Sequence, residues 1–334
     1  MKELLRILCL VSLSSIFALF IGGCGGGGGG GDGSVTASSD DNGIAYIGLT
    51  SQASIDENNA QQLTGESYEG GKLASSLASL GAVSVESQDH LGRPRVFEFS
   101  QTMENALRSI DLTSRAGGTF AGAVYHTSGT IYGDCGGGVF YDIDVDDQTG
   151  RFSGNMNFNS YCNDNVTIDG QVQFSSRIAL TTGKLVTFSF SFDNLRGTSE
   201  QTTTRMAGDI SFDASTSPEV VTANLRMAVD SQVYQVTDYT LHITDRTGYI
   251  EVSFTGRFYD PGYGYVDIST PEVFIINDGY ENPSSGVLLI QGRNGTQARL
   301  TAHSVGYCEV QADTDGDGVM EWDSGWIPWS DLYS

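Results

Sequence analysis

The chain has 334 residues, 41 of them acidic against 17 basic, for a formal net charge of −24, and 39% of its residues are hydrophobic. So dense a negative charge argues against nucleic acid and anionic lipid headgroups as partners, because both would repel it, and leaves cations and neutral or basic ligands open. The same surplus also serves as a plain solubilising surface for an extracytoplasmic or salty setting, and the length suffices for one large β domain or two smaller ones.

Met1 to Arg6 carries Lys2 and Arg6, and Ile7 to Ile21 is apolar apart from three serines. This is the n-region and h-region of a secretory signal, too short to span a bilayer. Ile21-Gly22-Gly23-Cys24 then resembles the lipobox of bacterial lipoproteins, whose small residues before cysteine admit the lipid-modifying enzyme and a dedicated signal peptidase. The resemblance implies that residues 1–23 are removed and that Cys24 becomes the acylated N-terminus, its thiol held in a thioether. Buried acyl chains contribute roughly 0.8 kcal/mol per methylene, so a multiply acylated cysteine is a firm membrane anchor. An ordinary secreted protein cleaved nearby is the competing reading. Gly25 stands where an aspartate would signal inner-membrane retention, so the resemblance implies the outer membrane or cell surface, on the periplasmic face or the exterior.

Residues 24–43 are glycine, serine, threonine and aspartate with little else. Such a segment cannot offset its ordering entropy and reads as a disordered tether reaching roughly 20 to 25 Å. Beyond it, residues 44–112 read as a small mixed α/β cap. Ile44 to Leu49 suggests a short strand, and Ser54-Ile-Asp-Glu57 fits a capping box. A short helix is expected from Asn59 to Tyr68, ended by Gly70-Gly71, with Leu73, Leu77 and Leu80 continuing at helical spacing and a strand at Val96 to Phe99. The phrase Gly48 to Leu63 is similar to the opening of uncharacterised bacterial lipoproteins, which implies no activity.

From residue 113 to 334 the period changes to two. Phe152, Gly154, Met156 and Phe158 share one face of a strand, as do Ile168, Gly170, Val172 and Phe174, and Val186, Phe188, Phe190 and Phe192. Further strands are expected at Met206 to Phe212, Leu225 to Val229, Tyr239 to Ile243, Ile250 to Phe258 and Val287 to Ile290. Together they predict a mainly β protein, an antiparallel meander of roughly ten to fourteen strands. An apolar-x-Gly-x-apolar pattern recurs around Gly122, Gly154, Gly170, Gly208 and Gly256, with a partial copy at Gly292. Glycines on the apolar face permit sharp bending, so the sheet should be strongly curved, a sandwich or incomplete barrel. A lipid-facing barrel is disfavoured because the alternate positions Ser153, Asn155 and Asn157 are too polar.

Cys9 falls in the signal and Cys24 in the lipobox, which leaves Cys135, Cys162 and Cys308, with no Cys-x-x-Cys for metal or redox work. Cys135 and Cys162 both sit beside turn residues flanking one hairpin and are the expected disulfide, worth roughly 3 to 4 kcal/mol by loop closure. Cys308 is expected to be a buried strand residue, an intermolecular bridge being the alternative.

Asp142, Asp144 and Asp146 face one side of a strand, where a cation would ease their repulsion but a solvated edge stripe explains them equally well. Asp313-Thr-Asp315-Gly-Asp317-Gly318 matches the first half of an EF-hand-type calcium loop. Asp313, Asp315 and Asp317 would ligate, Val319 would give its carbonyl, and Glu321 falls at position 9. Position 12 is Ser324, with Asp323 one place early, and the flanks Tyr307 to Gln311 and Val319 to Trp322 look like strands. A tight Asp-Gly hairpin turn accounts for the same residues without metal. Calcium is therefore the one cofactor considered.

No catalytic residue is assigned. His90, His126, His242 and His303 are scattered, and no Gly-x-Ser-x-Gly or His-Glu-x-x-His occurs. Trp322, Trp326, Trp329 and Gly262-Tyr-Gly-Tyr265 offer aromatics for sugar stacking or for packing. The expectation is a lipid-anchored envelope protein acting as a binding or structural module for an unknown protein or carbohydrate ligand. A carrier of apolar ligands and a carbohydrate-active hydrolase are the alternatives.

Overall fold

The structure, a computed structural model, describes residues 44–79, 124–146, 148–163, 165–180, 185–199, 202–229 and 231–333. The expected signal, lipobox and tether, the strand expected at Val96 to Phe99 and the pattern around Gly122 lie outside the described residues. Among the described residues one α-helix, α1 (Ala60–Ser79), precedes fourteen strands: β1 (Val124–Tyr132), β2 (Gly136–Asp146), β3 (Arg151–Asn163), β4 (Val166–Ile178), β5 (Leu185–Ser199), β6 (Thr202–Asp213), β7 (Glu219–Val229), β8 (Gln232–Arg246), β9 (Tyr249–Asp260), β10 (Gly264–Asn277), β11 (Ser285–Gln291), β12 (Gln297–Ser304), β13 (Tyr307–Asp313) and β14 (Trp322–Pro328). They form one sheet in sequence order, each strand antiparallel to the next, and β1 and β14 do not join to close a barrel.

Alternation decides which face is buried. On β3, Met156 and Phe158 are buried while Asn155 and Asn157 are exposed, and Phe188, Phe190 and Phe192 of β5 form a buried row of touching rings. These inner rows run together from Val139 on β2 to Ala312 on β13 as a continuous core. The opposite face is a lattice of small polar side chains, with cross-strand hydrogen bonds such as Ser175 Oγ to Ser189 Oγ (2.7 Å) and Ser211 Oγ to Thr222 Oγ1 (2.6 Å).

Helix α1 touches β6 to β9 on one side and β11 to β13 on the other. A flat sheet would hold β6 and β13 about 34 Å apart at ordinary strand spacing, three times the width of a helix, so the sheet must curl around α1. Ala60, Leu63, Thr64, Ser67 and Tyr68 are buried in the concavity, with Tyr68 ringed by Phe254, Phe274 and Trp329. Tyr239 on β8 donates its hydroxyl to the Ser67 carbonyl at 2.6 Å. The helix runs past Gly70-Gly71 rather than ending there. A Cβ at Gly71 would stand 3.3 Å from Phe254 and one at Gly70 3.3 Å from Val236, so the missing side chains bring the helix close to the sheet instead of terminating it.

Two further expectations are corrected nearby. The cap is made two residues later than Ser54 and Glu57: Asp56 Oδ1 accepts the Asn58 and Asn59 amides, and Asn59 Oδ1 accepts the Asp56 amide at 2.9 Å. It is the same reciprocal device with asparagine in the glutamate's role. Ile44 to Leu49 is not a strand, because Tyr46 curls back until its hydroxyl lies 2.9 Å from the Leu49 carbonyl and 2.8 Å from that of Asp260. The segment instead straps the β9–β10 and β11–β12 turns through a single parallel bridge, Gln52 to Tyr265, and the Arg293 amide on the Ala53 carbonyl. Gly292 serves this strap, since a Cβ there would strike the Ala53 carbonyl oxygen at 2.6 Å.

Of the other patterned glycines, Gly170, Gly208 and Gly256 mark a crease across the sheet, while Gly154 sits in regular register. Register shifts interrupt the pairing of β3 with β4, β4 with β5, β5 with β6, β7 with β8, and β8 with β9. Beside them stand Ser160, Gly170, Asn194, Gly208, Asp238 and Gly256, all with positive φ. Bulges of this kind bend strands and increase twist. Twice a neighbouring side chain catches the amide the bulge exposes: Asp169 Oδ1 accepts from Ser160 at 2.8 Å, and Asn224 Oδ1 from Asp238 at 2.9 Å. At Gly208, with φ +135°, a Cβ would lie 2.0 Å from the Asn224 carbonyl oxygen. Gly208→Ala is therefore expected to lower stability by about 2 kcal/mol or more in urea unfolding. Gly306→Ala, where a Cβ meets nothing nearer than 3.9 Å, should stay within about 0.5 kcal/mol of wild type.

Candidate functional site

β13 ends at Asp313 and β14 begins at Trp322, so the strand expected from Val319 starts three residues later and residues 314–321 form a loop. Aspartates at alternate positions fold it, each accepting an amide further along. Asp313 Oδ1 takes Gly316 (2.7 Å) and Oδ2 takes Gly318 (2.8 Å); Asp315 Oδ1 takes Asp317 (3.1 Å); Asp317 Oδ1 takes Val319 (2.8 Å). Glu321 Oε2 closes the loop on the Thr314 amide at 2.9 Å. Gly318, at position 6, has φ +91°, the turn such a loop requires. The loop rests on the β11–β12 turn, where a Cβ on Gly316 would reach the Asn294 carbonyl oxygen at 2.3 Å.

The outcome is a convergence of Asp313, Asp315, Asp317 and Glu321, with one ligand oxygen from each lying within 4.8 Å of all the others. Calcium binds oxygen at 2.3–2.6 Å, so oxygens on opposite sides of one ion stand about 5 Å apart, and the cluster has the right diameter. Asp313 is buried, whereas the other three are exposed, which leaves room for water ligands. Burial alone would raise the Asp313 pKa, yet the amides of Gly316, Gly318, Asp317 and Asp315 together hold it below the ordinary carboxylate value. Val319 stands as the position-7 carbonyl by sequence alone. Neither residue near position 12 joins: Ser324 Oγ accepts the Val310 amide, and Asp323 is taken by Gln311 and the Gly325 amide.

The other acidic stripe is relieved differently. His126 lies between Asp142 and Asp144, its Nε2 3.2 Å from one and its Nδ1 3.1 Å from the other, while Asp146 caps the following turn through Gln148 and Thr149. All are exposed or half-buried, and His126 supplies the partner that sequence spacing did not reveal. Cys135 and Cys162 form the expected disulfide, with Cα atoms 5.1 Å apart, and Cys308 is a buried residue of β13. Trp329 is buried and donates Nε1 to the Ser304 carbonyl at 3.1 Å, and Tyr265 packs beneath Arg257, both in packing roles. Trp326 departs from them: it is 64% exposed and stacks on His303, whose Nε2 meets Glu309 at 3.0 Å.

One pair escaped the sequence reading because its members lie far apart in the chain. Glu66 on α1 is buried and faces Asp260 at the end of β9. Asp260 Oδ1 accepts the Gly262 and Tyr263 amides, and Gln62 Nε2 reaches Glu66 Oε1 at 3.0 Å. Burial first, then the charge and hydrogen bond of Asp260, push the Glu66 pKa well above its ordinary value. Tyr46, Tyr234 and Tyr263 lie close by, and burial first, then the charge of Asp260 or Glu66, raises the pKa of each.

No protein-family model matches the chain, and no curated protein or solved structure is significantly similar to it.

A carboxyl whose folded pKa is raised stabilises the fold below its unfolded pKa, and that contribution is lost as pH rises through the folded value. Wild-type stability is thus expected to decline as pH rises above the ordinary carboxylate range toward the raised Glu66 value. Glu66→Gln, which keeps the hydrogen-bonding shape without the charge, should flatten that decline when melting temperature is followed against pH. An unchanged slope would remove Glu66 as its source.

Proposed function

We propose that the protein is a binding or structural module of the cell envelope, anchored by lipid on Cys24 and carrying a weak calcium site in its C-terminal loop. The observation that carries the calcium reading is the convergence of Asp313, Asp315, Asp317 and Glu321 within 4.8 Å. Supporting the module reading, α1 occupies the concave side against β6–β9 and β11–β13, and the convex face displays polar side chains. The anchor reading is supported by Ile21-Gly22-Gly23-Cys24 and the glycine run after it, which would let the folded body move near the membrane.

With exposed ligands and no bidentate acid at position 12, the affinity belongs with extracellular calcium modules, about 10⁻⁴ to 10⁻³ M. At about 10 mM calcium such a site would add roughly 1.4 to 2.7 kcal/mol of stability. Thermal melting with calcium and with chelator should therefore show a shift in wild type and none in Asp315→Ala; identical melts for both proteins would refute the metal site. For the anchor, cell fractionation should find wild type in the membrane and Cys24→Ser released from it. Retention of Cys24→Ser in the membrane would refute lipidation.

A further inference from the structure

Between β1, β2 and β3 the convex face carries a groove of about 510 Å³, within the size range of small-ligand sites. Strand register builds it from two rungs: Thr130 beside Phe140 beside Asn157, and Tyr132 beside Gly138 beside Asn159. Gly138 has no side chain to fill the space between the two aromatic rings, so the second rung forms a floor. Tyr132 is 80% exposed and Phe140 49%, so both rings are open to solvent at the groove. Among the described residues no side-chain hydrogen bond engages the Tyr132 or Thr130 hydroxyl or the carboxamides of Asn157 and Asn159. The Cys135–Cys162 disulfide ties the β1–β2 turn to the end of β3, next to the second rung, and holds the groove in shape.

In a chain of net charge −24, every lining residue of this groove is uncharged. The nearest carboxylates lie outside the lining: Asp142 in the next rung, 3.2 Å from His126 Nε2, and Asp134 in the β1–β2 turn. We infer that the groove binds a neutral glycan, with Tyr132 and Phe140 stacking on sugar faces and Asn157, Asn159 and Thr130 pairing with hydroxyls. Carboxamides both donate and accept, as hydroxyl groups require. A lipid or apolar peptide would leave those amides desolvated and unpaired, an anionic polymer would be repelled by the surrounding charge, and a basic peptide would find no free carboxylate in the groove. The inference deepens the binding-module reading and is independent of calcium and of the anchor, because the groove lies at the opposite end of the strand order from the β13–β14 loop.

Calcium-loaded protein would be titrated calorimetrically with neutral hexasaccharides of β-1,4-glucan, β-1,3-glucan, α-1,4-glucan and β-1,4-mannan, and with a hexamer of polygalacturonic acid. At least one neutral member should bind, and Tyr132→Ala and Phe140→Ala should each weaken it about tenfold or more. Both rings are exposed, so melting temperatures should not move, and Trp326→Ala should bind like wild type. The inference is overturned if no neutral hexasaccharide binds, if the polyuronate binds best, if the double variant Tyr132→Ala/Phe140→Ala binds unchanged, or if Trp326→Ala abolishes binding. A failed calcium shift alongside intact glycan binding would count against the metal site alone, and the reverse against the groove alone.

Discussion

A sheet of fourteen strands has far more apolar surface on its inner face than one helix can cover while the sheet stays flat. What reconciles the two is the line of bulges from Ser160 through Gly170, Asn194, Gly208 and Asp238 to Gly256. Each bulge bends its strand a little, and because the bends lie side by side the sheet curls as a whole. The curl brings β6 and β13 to the same helix, places Tyr68 against Phe254, Phe274 and Trp329, and turns Phe188, Phe190 and Phe192 into a shared core. Remove the bends and the hydrophobic burial that holds the fold together has no geometry to form in.

The same bending separates the tasks of the two faces. The concave side is committed to packing, including the buried Glu66–Asp260 contact between α1 and the end of β9. The convex side carries the uncharged groove near one end of the strand order and a polar lattice beyond it, while the carboxylate loop sits in the β13–β14 turn.

Much of this was legible in residue order because alternation with period two is a local property. The rows around Phe158, Phe174 and Phe190 announced strands and their buried faces, and the glycines among them announced curvature. The calcium-type loop was equally readable, because its ligands lie within nine positions and its turn is set by Gly318 itself. Where the reading erred, the cause was contact from outside the segment. Gly70-Gly71 looks like a helix stop until Phe254 and Val236 are seen against it, and Ile44 to Leu49 looks like a strand until Tyr46 reaches the β9–β10 turn. The cap moved from Ser54 to Asp56 because both sites satisfy the same local rule and only packing chooses between them.

The sequence by itself determined the strand faces, the antiparallel order, the Cys135–Cys162 pairing and the acidic loop, all of which depend on neighbours close along the chain or on two turn-flanking cysteines. Only the tertiary structure decided that His126 bridges Asp142 and Asp144, that Glu66 meets Asp260 across nearly two hundred residues, and that Tyr132, Phe140, Asn157 and Asn159 line one groove. The physical reason is register. Which side chains share a rung is set by bulges and turns acting together across strands, and no single stretch of chain contains that information.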